Sequence, residues 1–215
     1  MKKGFTYIEL LISIALIAFI VSLIVVAFNP ASYFSRSRDL KRLKDLQTLA
    51  NALTIYFAYS FNPDPDGPEL SKRGMNQEYP TIFISVPYDI EEVFDNCFDP
   101  FSNQYVQIYQ VSKNNLQRIN GTGWVPVNFT EVAAIPISEL PIDPINSFSS
   151  GYFYAYAFKV KPFKFEITAA LEYKRFRFGG PDDRVSTDGG NDPRRFEVGS
   201  DLNVIPPLVY PINIP

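Results

Sequence analysis

The groups able to do chemistry in this chain are few, and their types decide what chemistry is open. Histidine is absent and there is one cysteine, Cys97. That removes His-based triads, His-ligated metal sites and any intrachain disulfide. Cys97 sits in Asp95-Asn-Cys-Phe-Asp99 with no imidazole to act as its base, and reads as a small buried residue. Carboxylates are the only abundant acid–base groups. Without histidine, paired carboxylates suit glycoside-type chemistry, but no pair is marked out by spacing. Gly189-Gly190 lacks the lysine and following helix of a phosphate-binding loop. One carboxylate stands apart. Glu9 is the lone acid in an apolar run from Phe5 to Phe28. At bilayer depth a carboxylate costs roughly 2.5–3.5 kcal/mol unless a cation meets it. A cut between Gly4 and Phe5 would create that cation, an α-amino group with an ordinary pKa of about 7.7–8.

Lys2-Lys3-Gly4-Phe5-Thr6-Tyr7-Ile8-Glu9-Leu10-Leu11 resembles the leader, cleavage and N-methylation site of type IV prepilins and pseudopilins. The resemblance implies that prepilin peptidase cuts after Gly4 and methylates Phe5. Glu9 would then meet the amino group of an adjacent copy in a helical filament. The implied partners are further copies of the chain, prepilin peptidase, the inner membrane, and an inner-membrane assembly platform with its cytoplasmic ATPase. The implied location is the inner membrane, single-pass, with an extracytoplasmic domain, and then a cell-surface or periplasmic filament. No catalysis is implied. A pseudopilin of a type II secretion or DNA-uptake machine is the alternative within the family. A membrane-tethered extracytoplasmic carboxylate enzyme is the alternative from another class. A secretory signal has a shorter apolar core followed by a small-residue cut site, whereas this run ends in Asn29-Pro30-Ala31. A simple anchor has no reason to carry Glu9.

The elements that must position these groups follow from periodicity. The resemblance makes residues 1–4 the leader; 5–61 is the expected helical part, with 5–28 spanning the membrane and 32–61 amphipathic. A helix over Phe5–Phe28 would be about 36 Å long, enough to cross a hydrocarbon core of about 30 Å with some tilt. Pro30 predicts a kink or break near Asn29-Pro30. Leu40, Leu43, Leu46, Leu49, Leu53 and Tyr56 then form one helical stripe, widened by Ala50, Ala52 and Phe57. Arg36, Arg38, Lys41, Arg42 and Lys44 fall largely off the stripe and read as a solvated face. The formal net charge of −3 gives no footprint for nucleic acid. These five basic residues, against two in the leader, oppose the expected orientation by the positive-inside rule. Asp39 and Asp45 dilute them.

Residues 62–215 read as an antiparallel β domain. Asn62-Pro-Asp-Pro-Asp-Gly-Pro68 ends the helix. Strands are expected at Thr81–Val86, Tyr105–Val111 and Phe196–Val198, while Glu91–Phe98 is ambiguous. The clearest signal is a hairpin. Tyr152, Tyr154, Tyr156, Phe158 and Val160 alternate with smaller residues, and after Lys161-Pro162 so do Phe163, Phe165, Ile167, Ala169 and Leu171. Its large aromatics should cover the helix stripe. Trp124, in a Gly-rich loop, should plug the core. The tail from Pro206 to Pro215 should be extended. The fold class is therefore α+β, a long N-terminal helix whose distal half packs on an antiparallel sheet. Leu140-Pro-Ile-Asp143-Pro-Ile-Asn146 before the aromatic strand resembles the major pseudopilin of type II secretion. That resemblance implies calcium in an acidic loop, for which Asp182, Asp183, Asp188, Asn191 and Asp192 are the candidates. Their spacing is not that of an EF-hand, and such clusters usually build turns.

Overall fold

The computed structural model describes residues 4–28, 30–67, 81–93, 96–99, 104–160 and 162–207. The chain divides into two compact units, Met1–Ser37 and Arg38–Pro215. Residues 1–3, Asn29, the polar stretch 68–80 and most of the proline-rich tail lie outside the described residues.

In the first unit, helix α1 runs from Tyr7 to Phe28. At 1.5 Å per residue it is about 33 Å long, the thickness of a bilayer's hydrocarbon core. The side chains from Tyr7 to Val25 are all open, so this apolar helix has no core of its own to enter. It is the one helix among the described residues long and apolar enough to cross a membrane. Its two serines close their hydroxyls on the helix: Ser13 donates to the Glu9 carbonyl at 2.6 Å and Ser22 to that of Phe19 at 2.7 Å. Helix α2 spans Pro30–Tyr59. Proline is tolerated at a first helical position because its missing N–H would be unpaired there anyway. The expected irregularity thus takes the form of two helices on either side of Asn29.

The second unit is α+β. From Arg38 onward α2 lies on a six-stranded sheet of order β2-β3-β1-β4-β5-β6. The strands are β1 (Thr81–Ile84), β2 (Asn96–Asp99), β3 (Gln104–Tyr109), β4 (Tyr154–Val160), β5 (Phe163–Ala170) and β6 (Arg195–Gly199). The expected β4–β5 hairpin forms, with Tyr156 opposite Ile167 and Val160 opposite Phe163. Because strand side chains alternate, Tyr154, Tyr156, Phe165 and Ile167 reach one face, where Leu46, Leu49, Leu53 and Tyr56 of α2 meet them. The opposite face packs Ile82, Ile84, Phe153 and Ala155 against Val204 and Ile205. Trp124 is fully buried, and its indole N–H donates to the Pro141 carbonyl at 2.9 Å.

Three expectations are corrected. The sheet is not wholly antiparallel: β1 and β3 pair in parallel, Ile82 opposite Ile108. A parallel pair needs a long crossover, and residues 85–103 supply one, with β2 folded back antiparallel onto β3. The ambiguous stretch therefore holds a strand, although the Cys97 side chain lies outside the described residues. The helix stripe starts later than its leucines suggest. Leu40 is half exposed, while Asp39 and Arg42 are completely buried in its place.

Candidate functional site

The residues that the sequence suggests for processing and assembly, Gly4, Phe5 and Glu9, lie at the start of α1. Gly4 and Phe5 precede the helix and are exposed. Thr6 caps it. The Glu9 carboxylate accepts from the Thr6 N–H at 2.9 Å and from its hydroxyl at 2.8 Å, while the Glu9 N–H donates to Thr6 Oγ1 at 3.3 Å. This is a reciprocal capping box, in which a Thr and a Glu three residues later satisfy each other's backbone donors. The signal was present in the sequence as Thr-x-x-Glu ahead of an apolar run. The carboxylate is thus oriented one residue from the Gly4–Phe5 bond. An amino group created on Phe5 would appear beside a carboxylate already turned toward that end of the helix. The negative side chain also suits the positive end of the helix dipole.

A second constellation, unforeseen in the sequence, fixes the buried half of α2. Arg42 is enclosed completely and grips Asp143 with both arms of its guanidinium, Nε at 2.6 Å and Nη2 at 2.8 Å. Its Nη1 donates to Asp39 at 2.7 Å and to Glu172 at 2.6 Å. The guanidinium lies 4.9 Å from the centre of the Tyr152 ring. Arg38 adds a second two-armed grip on Glu172, at 2.8 and 2.6 Å. Burial disfavours the charge on Arg42, but the carboxylates of Asp143, Asp39 and Glu172 outweigh it and push its pKa further up. Burial likewise opposes ionisation of Glu172, and Arg38 and Arg42 overcome it and hold that carboxyl below its ordinary range. Asp39 completes the network by accepting the backbone N–H groups of Glu172 and Tyr173 at 3.0 and 2.7 Å. Arg38 and Arg42 therefore do not belong to a solvated basic face. Their partners, far along the chain, are what sequence periodicity could not reveal.

The five calcium candidates are placed in turns. Asp182 pairs with Arg175 at 2.7 Å. Asp183 accepts from the N–H groups of Gly179, Val185 and Ser186 and from the Ser186 hydroxyl. Asp188 accepts from the N–H groups of Gly190 and Glu197. Asp192 accepts from the backbone and guanidinium of Arg194, and Asn191 donates to the Ile205 carbonyl. Among the described residues no three carboxylates, cysteines or histidines are grouped to hold a metal ion. The acidic loop as folded does not fit a calcium centre.

The loop instead covers a buried acid pair. Glu166 on β5 and Glu197 on β6 are both inaccessible and adjacent. Glu166 accepts from the Val204 and Ile205 N–H groups, each at 2.8 Å. Burial, then the Glu166 carboxyl beside it, pushes Glu197 up to about 9. Two charges side by side in this enclosure are disfavoured, so burial and Glu166 favour the protonated form of Glu197. Gly190 is forced by the same packing, since a Cβ there would lie 1.6 Å from a Glu197 oxygen.

No protein-family model, curated protein or solved structure matches this chain.

Proposed function

We propose that this chain is a structural subunit of a type IV pilus-like filament. In this reading prepilin peptidase removes residues 1–4 and methylates Phe5, α1 resides in the inner membrane, and the second unit faces outward. An assembly platform with a cytoplasmic ATPase then extracts and polymerises the subunits. One observation carries the proposal: the first turn of an open, apolar, membrane-length helix holds a single carboxylate, Glu9, next to the Gly4–Phe5 junction. Lipid would cover α1 before assembly and other copies of α1 after it. The helix network around Arg42 supports the reading, because a subunit pulled through its N-terminal helix must keep its sheet attached.

Mass spectrometry of protein from native membranes and filaments tests processing. The expected N-terminus is N-methyl-Phe5, and an intact Met1-Lys-Lys-Gly end in assembled material contradicts the proposal. Protease added to intact spheroplasts should cut after Asn62. Protection there, with cleavage only in inverted vesicles, would give the orientation that the basic residues Arg36–Lys44 favour by charge alone.

A further inference from the structure

The second unit contains a cleft of about 260 Å³ that none of the preceding chemistry uses. Its walls include Asp66, Tyr88, Tyr109, Ser112, Asn115 and Thr122. We propose that this cleft is a carbohydrate-binding site that takes a single uncharged sugar ring, such as the end residue of a glycan.

The argument rests on what lines the cleft and on how firmly it is built. Among the described residues that line it there is no lysine or arginine to counter the charge of a phosphate or carboxylate ligand. It is neither a dry apolar pocket nor a fully polar one. Half-exposed Tyr88 supplies an apolar face and a phenolic hydroxyl and the buried Tyr109 part of the wall, while a carboxyl, a carboxamide and two alcohols supply hydrogen-bonding groups. A pyranose presents this same combination, with flat patches of C–H on its faces and hydroxyls around its edge. Among the described residues, the side chains of Ser112 and Asn115 make no hydrogen bond within the chain. Burial, then Asp64 beside it, pushes Asp66 up to about 6, and a carboxyl in either state can hydrogen-bond to a sugar hydroxyl. Pockets for drug-sized ligands occupy about 300–1,000 Å³, so this volume suits one small ring.

The walls are preorganised. The Tyr109 ring packs edge-on against Phe83 at 5.3 Å between centroids. Tyr88 is half exposed, and its N–H is tied to the Val111 carbonyl at 3.2 Å. Thr122 is fixed by Asn120, which accepts from its N–H and its hydroxyl at 3.3 and 2.7 Å. The glycines flanking Thr122 have structural reasons to lack side chains. Gly121 has φ of +87°, and a Cβ on Gly123 would lie 2.1 Å from the Arg118 carbonyl oxygen. The Tyr109 ring and the Thr122 hydroxyl thus have little side-chain entropy left to lose on binding.

The test uses the full chain in phosphatidylcholine nanodiscs, free of glycosidic detergent. Saturation-transfer NMR is recorded with the methyl glycosides of glucose, galactose, mannose and N-acetylglucosamine at millimolar concentration. At least one should give a saturable signal, strongest on its ring C–H protons. Tyr88→Ala should abolish it, and Asp66→Asn and Asn115→Ala should each weaken binding about tenfold, equivalent to about 1.4 kcal/mol. Phe178→Ala, at an exposed aromatic that does not line the cleft, should leave it unchanged. An unchanged thermal midpoint shows that each variant folds. The two polar variants decide the matter if Tyr88→Ala does not fold. Absence of a saturable signal from all four glycosides overturns the proposal. So does binding that survives both Asp66→Asn and Asn115→Ala.

Discussion

Along α1 the side chains from Tyr7 to Val25 are open and apolar, and the single carboxylate is held by its own first turn. Along α2 beyond Ser37 the helix buries an aspartate and an arginine and pairs both across the domain. The comparison separates two kinds of incompleteness. In α1 the polar groups are satisfied locally while the apolar surface is left open, a state that is costly in water. In α2 the apolar stripe is covered by the sheet, and the buried charges at its start are paired with each other and with Asp143 and Glu172, about a hundred positions or more away. Composition alone would have ranked the two the other way, with the charged helix as the solvated one.

The sharpest way to break this comparison is to remove the cation at the centre of the α2 network. Arg42→Ala leaves the buried carboxylates of Asp39 and Asp143 with backbone N–H partners but no counter-charge, and breaking a buried pair in this way costs about 3–5 kcal/mol. Chemical denaturation of the second unit's signal should show that loss. Arg36→Ala, on an exposed position of the same helix, should leave the midpoint nearly unchanged.

The acid pair gives a pH-dependent prediction. Glu197 has an ordinary value of 4.5 and is pushed up to about 9 in the folded chain. Its folded value lies above its unfolded one, so its contribution is fully present below about pH 4.5 and is lost as pH rises toward 9. Within that window the expected slope is about 1.4 kcal/mol per pH unit. Glu197→Gln, whose amide can donate to Glu166 without a titrating proton, should flatten it. Denaturation midpoints at pH 6 and pH 9 for both proteins give the comparison.

Smaller effects sharpen the picture further. Tyr154 donates to Asp45 of α2 at 2.9 Å, and Tyr154→Phe should cost about 1 kcal/mol. Smallest of all, millimolar calcium should leave the thermal midpoint unchanged, because the carboxylates of the acidic loop are spent on Arg175, Arg194 and backbone N–H groups. A rise that Asp188→Ala and Asp192→Ala remove would show the loop rearranging around an ion.

Legibility in the sequence tracked the range of the interactions. The hairpin was readable because Tyr154, Tyr156, Phe165 and Ile167 alternate within a few residues of one another. The buried Trp124 was readable from its loop context. The parallel β1–β3 pair was not, because local alternation marks strands without saying which strands meet. Arg42 looked solvent-facing because its helix position says nothing of Asp143 and Glu172. Glu9 was legible as an anomaly of composition, but its pairing with Thr6 shows that the same carboxylate also builds the helix start.

That double role defines the most direct test of the central claim. A glutamine at position 9 can still accept from the Thr6 N–H, so Glu9→Gln keeps the cap and removes only the charge. The measurement is the amount of protein in sheared filaments relative to the membrane pool, for wild type and Glu9→Gln, in the native host. The account predicts wild-type protein in filaments, with the variant helical and membrane-inserted but depleted from filaments by at least about tenfold, the effect of roughly 1.4 kcal/mol per added subunit. Equal filament yields from the two proteins, or wild-type protein found only as dispersed membrane monomers, would contradict it.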